Sequence, residues 1–113
     1  MKAVVEGCLR DARTTSDGFS GEFRFPKDLD VFAGHFPNVP LVPGVFLVEA
    51  VRCAAERALE RPLRLVRVTD AKFTAEVAPD VEVTVEAELD GEKCRATVRT
   101  PDAVAASIRL VLS

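Results

Sequence analysis

The feature that most narrows the folds open to this chain is one run of seventeen residues, 34–50. It reads Gly34-His35-Phe36-Pro37-Asn38-Val39-Pro40-Leu41-Val42-Pro43-Gly44-Val45-Phe46-Leu47-Val48-Glu49-Ala50 and holds the only histidine and three of the seven prolines. A proline fixes its own φ and disfavours helical backbone in the residue before it, so 35–42 reads as a stiff, extended loop. Pro43 suits the first turn of a helix, where a missing N–H costs nothing. From there to Leu59 the residues are apolar on nearly every side, and only the last turns gain a polar face, through Arg52, Glu56, Arg57, Glu60 and Arg61. Pro62 ends the pattern. A helix apolar all round is one surrounded by protein. Its β-branched residues favour strand, but the length without turn signals and the alanines of 50–59 decide for helix. The run therefore joins a rigid loop bearing a titratable group to a buried helix bearing a carboxylate.

On either side the patterns are those of strands. Residues 3–13 (Val4, Val5, Cys8, Leu9) mix apolar and polar positions as a strand does, and 14–18 is a turn by composition. Phe19, Gly21, Phe23 and Phe25 alternate with Ser20, Glu22 and Arg24, which marks one face of a half-buried strand that stops at Pro26. Its rings are read as core, not as acyl-binding surface. Residues 27–32 read as loop. Beyond Pro62, 63–73 is strand-like and 77–80 a turn. Val81, Val83 and Val85 then alternate with Glu82, Thr84 and Glu86. Asp90-Gly91 is a hairpin signal leading to 94–99. After a turn at 100–102, residues 103–112 make a last strand. One long helix among five or six antiparallel strands is an α+β domain, with the sheet wrapped around the helix. A single helix leaves sheet edges open, and pairing them with a second copy predicts a homodimer.

Composition excludes several classes. At 113 residues, 48% hydrophobic and 29% charged, this is one ordinary globular domain. A net charge of -3 with mixed signs argues against nucleic acid or an anionic membrane as partner. Cys8, Cys53 and Cys94 form no CxxC pair, so neither a metal site nor a disulfide framework is expected, and the simplest setting is a reducing cytoplasm. No signal peptide is read at 1–6. The apolar run 39–55 is broken by Pro40, Pro43, Glu49 and Arg52 and falls short of a membrane span.

The spacing His-Phe-Pro-x-x-Pro-x-x-Pro-Gly-Val-x-x-x-Glu-Ala, from His35 to Ala50, resembles the signature of β-hydroxyacyl-acyl-carrier-protein dehydratases. The resemblance continues more loosely at Lys72-Phe73 and 77–89. It implies a dimeric hotdog fold, in which the sheet wraps one central helix. It also implies dehydration of a β-hydroxyacyl chain carried on acyl carrier protein, in fatty-acid or related polyene and polyketide synthesis. His35 would take the α-proton, since imidazole titrates near neutral pH. Glu49 would serve the leaving hydroxyl, and the Gly44 N–H at the helix N-terminus would polarise the thioester carbonyl. Whether His35 or Glu49 takes the α-proton alone, or both act on one water, stays open. Phe36, Pro43 and Val45 would flank the substrate. His35 of one subunit would work beside Glu49 of the other. No metal or dissociable cofactor is implied, because the thioester itself acidifies the α-proton.

Other readings of the same residues exist. A carboxylate in an apolar helix is costly unless paired or working, and Glu49 fits either description. Arg61, Arg64, Arg67 and Lys72 read as ordinary solvated charges, not as a carrier-docking patch. The chain departs from the family pattern at Asn38, where a glycine is usual, and at Cys53, near the place of a glutamine that follows the acidic residue. Pro79-Asp80 lacks the glycine often found there. The short chain is similar to the small dehydratases of aryl-polyene synthesis. The departures motivate an alternative, a non-catalytic acyl-carrier-binding hotdog subunit. A hotdog thioesterase is a third reading.

Overall fold

Alternating apolar and polar residues build one antiparallel sheet. The computed structural model describes residues 1–32 and 40–113. Residues 33–39, with His35, Phe36 and Asn38, lie outside the described residues, as does most of the expected extended loop. The elements are α1 (Lys2–Gly7), β1 (Leu9–Thr14), β2 (Gly18–Arg24), a 3-10 turn (Asp30–Phe32), α2 (Gly44–Leu59), β3 (Leu65–Phe73), β4 (Glu82–Asp90), β5 (Lys93–Arg99) and β6 (Val104–Leu112). The strands form a single six-stranded sheet in the order β1-β2-β4-β5-β6-β3. Every neighbouring pair is antiparallel. The expected α+β architecture, one long helix against a sheet, is the one observed.

Strand alternation decides which side of the sheet is core. Phe19, Phe23, Val83, Val85, Ala96, Val98, Ile108 and Leu110 are buried, while Glu86, Glu88, Arg95 and Arg99 on the opposite face are exposed. The Phe23 and Phe25 rings stack 6.1 Å apart, and Phe25 meets Phe46 of α2 at 6.3 Å. The three aromatics read as core are therefore core. Leu47, Ala50, Val51 and Ala54 carry α2 onto this surface. Contact is close at Gly21, where an added Cβ would lie 2.6 Å from the Cβ of Ala54. The helix packs chiefly over β1 and β2 and touches β4 and β6 less.

Several sequence expectations need correction. The first strand starts at Leu9, not at residue 3, because Lys2–Gly7 is helical. Six residues are too few for a helix to hold alone. It is kept by Val5, fully buried, and by packing of α1 against α2. Pro43 is not inside the first turn of α2 but caps it, with φ -61° and ψ 145°. The helix stops at Leu59, where Glu60 turns left-handed (φ 54°), before Pro62 is reached. The hairpin link is Gly91-Glu92, since Asp90 still pairs with Lys93, and Gly91 supplies the positive φ of 61°. Asp80 adopts φ 65° where a glycine is usual, and its N–H donates to the Phe25 carbonyl at 2.8 Å.

The helix is also not enclosed on all sides. Val45 is 59% exposed and Val48 and Glu49 are half-buried, so one side of its first turns faces outward. We expect Gly21→Ala to lift α2 from β2 and to destabilise the fold by about 1–3 kcal/mol in urea denaturation. An unchanged midpoint would contradict this packing.

Candidate active site

The outward side of α2 begins at a preset corner. Val42 N–H donates to the Val77 carbonyl at 2.8 Å, which ties the approach to the helix to the segment after β3. Pro43 then fixes the backbone, and Gly44 opens α2 with a helix N-terminal N–H that has no earlier helical carbonyl to bond. The Phe73 ring stands directly over Gly44, where an added Cβ would come within 2.9 Å of Phe73 Cζ. Around this corner runs a groove of about 540 Å³, lined by Leu41, Val42, Gly44, Val45, Val48 and Phe73 among others. Nearly all of its wall is apolar. Such a groove suits an acyl chain, and the N–H groups at its end suit a developing negative charge on oxygen.

Glu49 follows Val45 by one turn on the same side of the helix. Its side chain is 12% exposed, and both its oxygens accept from Arg52 Nε, at 2.5 and 2.8 Å. Arg52 is only 4% exposed. Its Nη1 donates to the Leu63 carbonyl at 2.9 Å and lies 3.1 Å from Glu56 Oε2. Glu56 Oε2 in turn accepts from the Leu63 N–H at 2.9 Å. Burial pulls the Arg52 pKa down, but the hydrogen bonds and charges of Glu49 and then Glu56 outweigh it, and the net direction is upward. The Leu63 N–H, opposed by burial and aided by Arg52, holds the Glu56 carboxyl below its ordinary 4.5.

The structure thus brings Pro43, Gly44 and Val45 to one corner and places Glu49 a turn further along. His35 and Phe36 lie outside the described residues. Arg52 was expected among the polar last turns of the helix and is instead buried. The signal that could have singled it out is the spacing Glu49, Arg52, Glu56, an i,i+3 and i,i+4 pair of acid partners around one base. Arg61, Arg64, Arg67 and Lys72 are all exposed, as solvated charges are. Cys53 and Cys94 are buried thiols, each pushed up to about 11 chiefly by burial, and are inert at neutral pH. Among the described residues no group of three or more His, Cys, Asp or Glu is arranged to hold a metal, and no helix is long and apolar enough to cross a membrane.

Comparison with known proteins gives this corner a context. The family model of the ApeI-like proteins, described as ApeI dehydratase, matches residues 11–108. The chain belongs to the ApeI-like dehydratases. It is 31% identical over 91 residues to the 3-hydroxyacyl-[acyl-carrier-protein] dehydratase FabZ of Thermotoga petrophila, a match covering 73% of this chain and 66% of that one, just under two thirds of the relative's length. Among solved structures, the dehydratase heterocomplex ApeI:P from Xenorhabdus doucetiae superposes with a TM-score of 0.78 at 20% identity, over 92% of this chain and 95% of that one. The fluoroacetyl-CoA-specific thioesterase FlK, as its F36A mutant, superposes at 0.65 and 20% identity, over 92% and 90%. These neighbours establish the hotdog fold for the ApeI-like chain.

The Glu56 network makes stability depend on acid. A carboxyl whose pKa is lowered on folding stabilises the protein above its ordinary value and loses that contribution as pH falls through the lowered one. We therefore expect stability to decline as pH drops below 4.5. Glu56→Gln should lower stability at pH 7 and flatten that acid decline in denaturant titrations. An equally steep decline in the variant would contradict the assignment.

Proposed function

We propose that this chain removes water from a β-hydroxyacyl thioester carried on acyl carrier protein and releases the trans-2-enoyl thioester. The observation that carries this reading is the apolar groove at the Gly44 helix N-terminus, with the largely buried Glu49 carboxylate further along the helix and outside the groove's own lining. In this reading the acyl chain lies in the groove beside Val45, with Pro43 and Phe36 flanking the thioester. The Gly44 N–H polarises the thioester carbonyl and so stabilises the enolate-like oxygen. His35 takes the α-proton, the electron pair becomes the Cα=Cβ bond, and the Cβ–O bond breaks. The hydroxyl leaves as water at Glu49, whose carboxylate is paired to Arg52 and orients it, while a bound water relays to it the proton taken by His35. No metal or cofactor enters these steps. The relative FabZ supports the substrate class, and the family supports the reaction.

The same reading needs a second copy. β3 is an edge strand of nine residues without proline or glycine. It exposes Leu65, Val66, Val68 and Phe73, with Val66 56% and Phe73 51% accessible. An uncovered apolar edge is a surface that natural proteins pair or protect. In a homodimer through it, as the family resemblance implies, His35 of one copy would work beside Glu49 of the other. A second reading is favoured by one observation, that the Xenorhabdus doucetiae neighbour is a heterocomplex. Under it, this chain is an acyl-carrier-binding subunit whose partner is a different hotdog chain.

Purified protein incubated with a β-hydroxyacyl carrier, with product mass followed over time, tests the reaction. Loss of water is expected, with a fall of about a hundredfold or more in His35→Ala and in Glu49→Gln. Binding without turnover would support the subunit reading, and release of free acid would mean thioester hydrolysis instead. For the assembly, sedimentation should give a dimer, and Val68→Lys on β3 should yield monomer with little activity. An active monomer would overturn the shared site.

A further inference from the structure

The family resemblance leaves Glu49 without its usual neighbour, because Cys53 stands near the place of a glutamine. The thiol at 53 is buried and protonated, a weak donor at best. The fold supplies a stronger partner one residue earlier. We propose that Arg52 is the positioning residue of Glu49, fixing its carboxylate at the outward side of α2 for the substrate's hydroxyl. This role rests on the dehydratase reading.

Three features carry the assignment. Both Glu49 oxygens accept from one nitrogen, Arg52 Nε, which fixes the plane and rotation of the carboxylate as a single contact could not. Arg52 is itself immobilised from the far side, by the Leu63 carbonyl and by Glu56, which is pinned to the Leu63 N–H. The clamp is therefore anchored to the chain that follows α2, not to another mobile side chain. Finally, Arg52 Nη2 is buried with no hydrogen-bond partner among the described residues. Leucine or methionine would fill this volume without an unpaired donor, so packing alone does not account for a guanidinium here. A carboxylate offers roughly four acceptor sites, and Arg52 uses two of them. Those that remain can accept from a hydroxyl or a water.

Steady-state kinetics of Arg52→Met and Arg52→Lys test the role. In Arg52→Met we expect kcat to fall about tenfold or more while KM stays within about threefold, the loss of one charge-assisted contact to a reacting group. Arg52→Lys should recover part of kcat. A merely structural arginine would lower stability and leave kcat per folded molecule unchanged in both variants, and that result would overturn the proposal. A second measurement does not use turnover. In a double-mutant cycle of Arg52→Lys and Glu49→Gln followed by urea denaturation, the two changes should be non-additive. Additivity would remove the clamp. If the wild-type protein shows no dehydration but the cycle shows coupling, the dehydratase reading fails and the pairing stands. If dehydration is seen and kcat ignores Arg52, the positioning role fails and the dehydratase reading stands.

Discussion

The close seat of α2 on β2 is the constraint from which the rest of the structure follows. Gly21 has no side chain, and the space this leaves lets the Ala54 stretch of the helix approach the sheet backbone. Leu47, Ala50 and Val51 then complete a dry contact with the aromatic face of β2. A second glycine works at the helix N-terminus. Gly44 fits beneath the Phe73 ring, so the first turn ends at a fixed distance from β3. Between these two points the direction of α2 is settled, and with it the side on which Val45, Val48, Glu49 and Arg52 lie.

This seat is off-centre. Among the described residues the helix packs chiefly over the β1–β2 end of the sheet and meets the β3 end only near its N-terminus. That asymmetry explains why apolar residues remain exposed on both the outer side of α2 and the edge strand. It also puts the groove at the boundary between covered and uncovered sheet. In the proposed reading one chain supplies only part of a site built there. The groove and the helix N-terminus are present, and Glu49 is held by Arg52 against the connection at Leu63. In the proposed reading a second subunit covers the exposed apolar residues of β3.

Much of this was legible in the sequence where local pattern and tertiary role agree. The alternation of Val83 and Val85 with Glu82 and Glu86 names β4 and its buried face, because one side of that strand is core and the other is water. The prolines and alanines around residues 43–59 delimit α2 for the same reason. What was not legible depends on neighbours distant in sequence. Val4 and Val5 look like strand, but burial of Val5 against α2 makes residues 2–7 a helix. Arg52 has the same letter as the solvated Arg57, and only the path of the chain at Leu63 decides that its guanidinium turns inward. Nor can an apolar residue announce what will cover it. Val45 reads as interior, and within one chain it is surface.

The central claim is that the site is completed by a second copy of this chain, and subunit mixing tests it most directly. His35→Ala and Glu49→Gln proteins, each inactive alone, would be unfolded, mixed in equal amounts and refolded together. If each site takes its histidine from one copy and its carboxylate from the other, mixed dimers contain one intact site, and about a quarter of wild-type activity should return from random pairing. If both groups act within a single chain, or if the partner is a different protein, mixing would restore nothing, and a site shared between two copies would be contradicted.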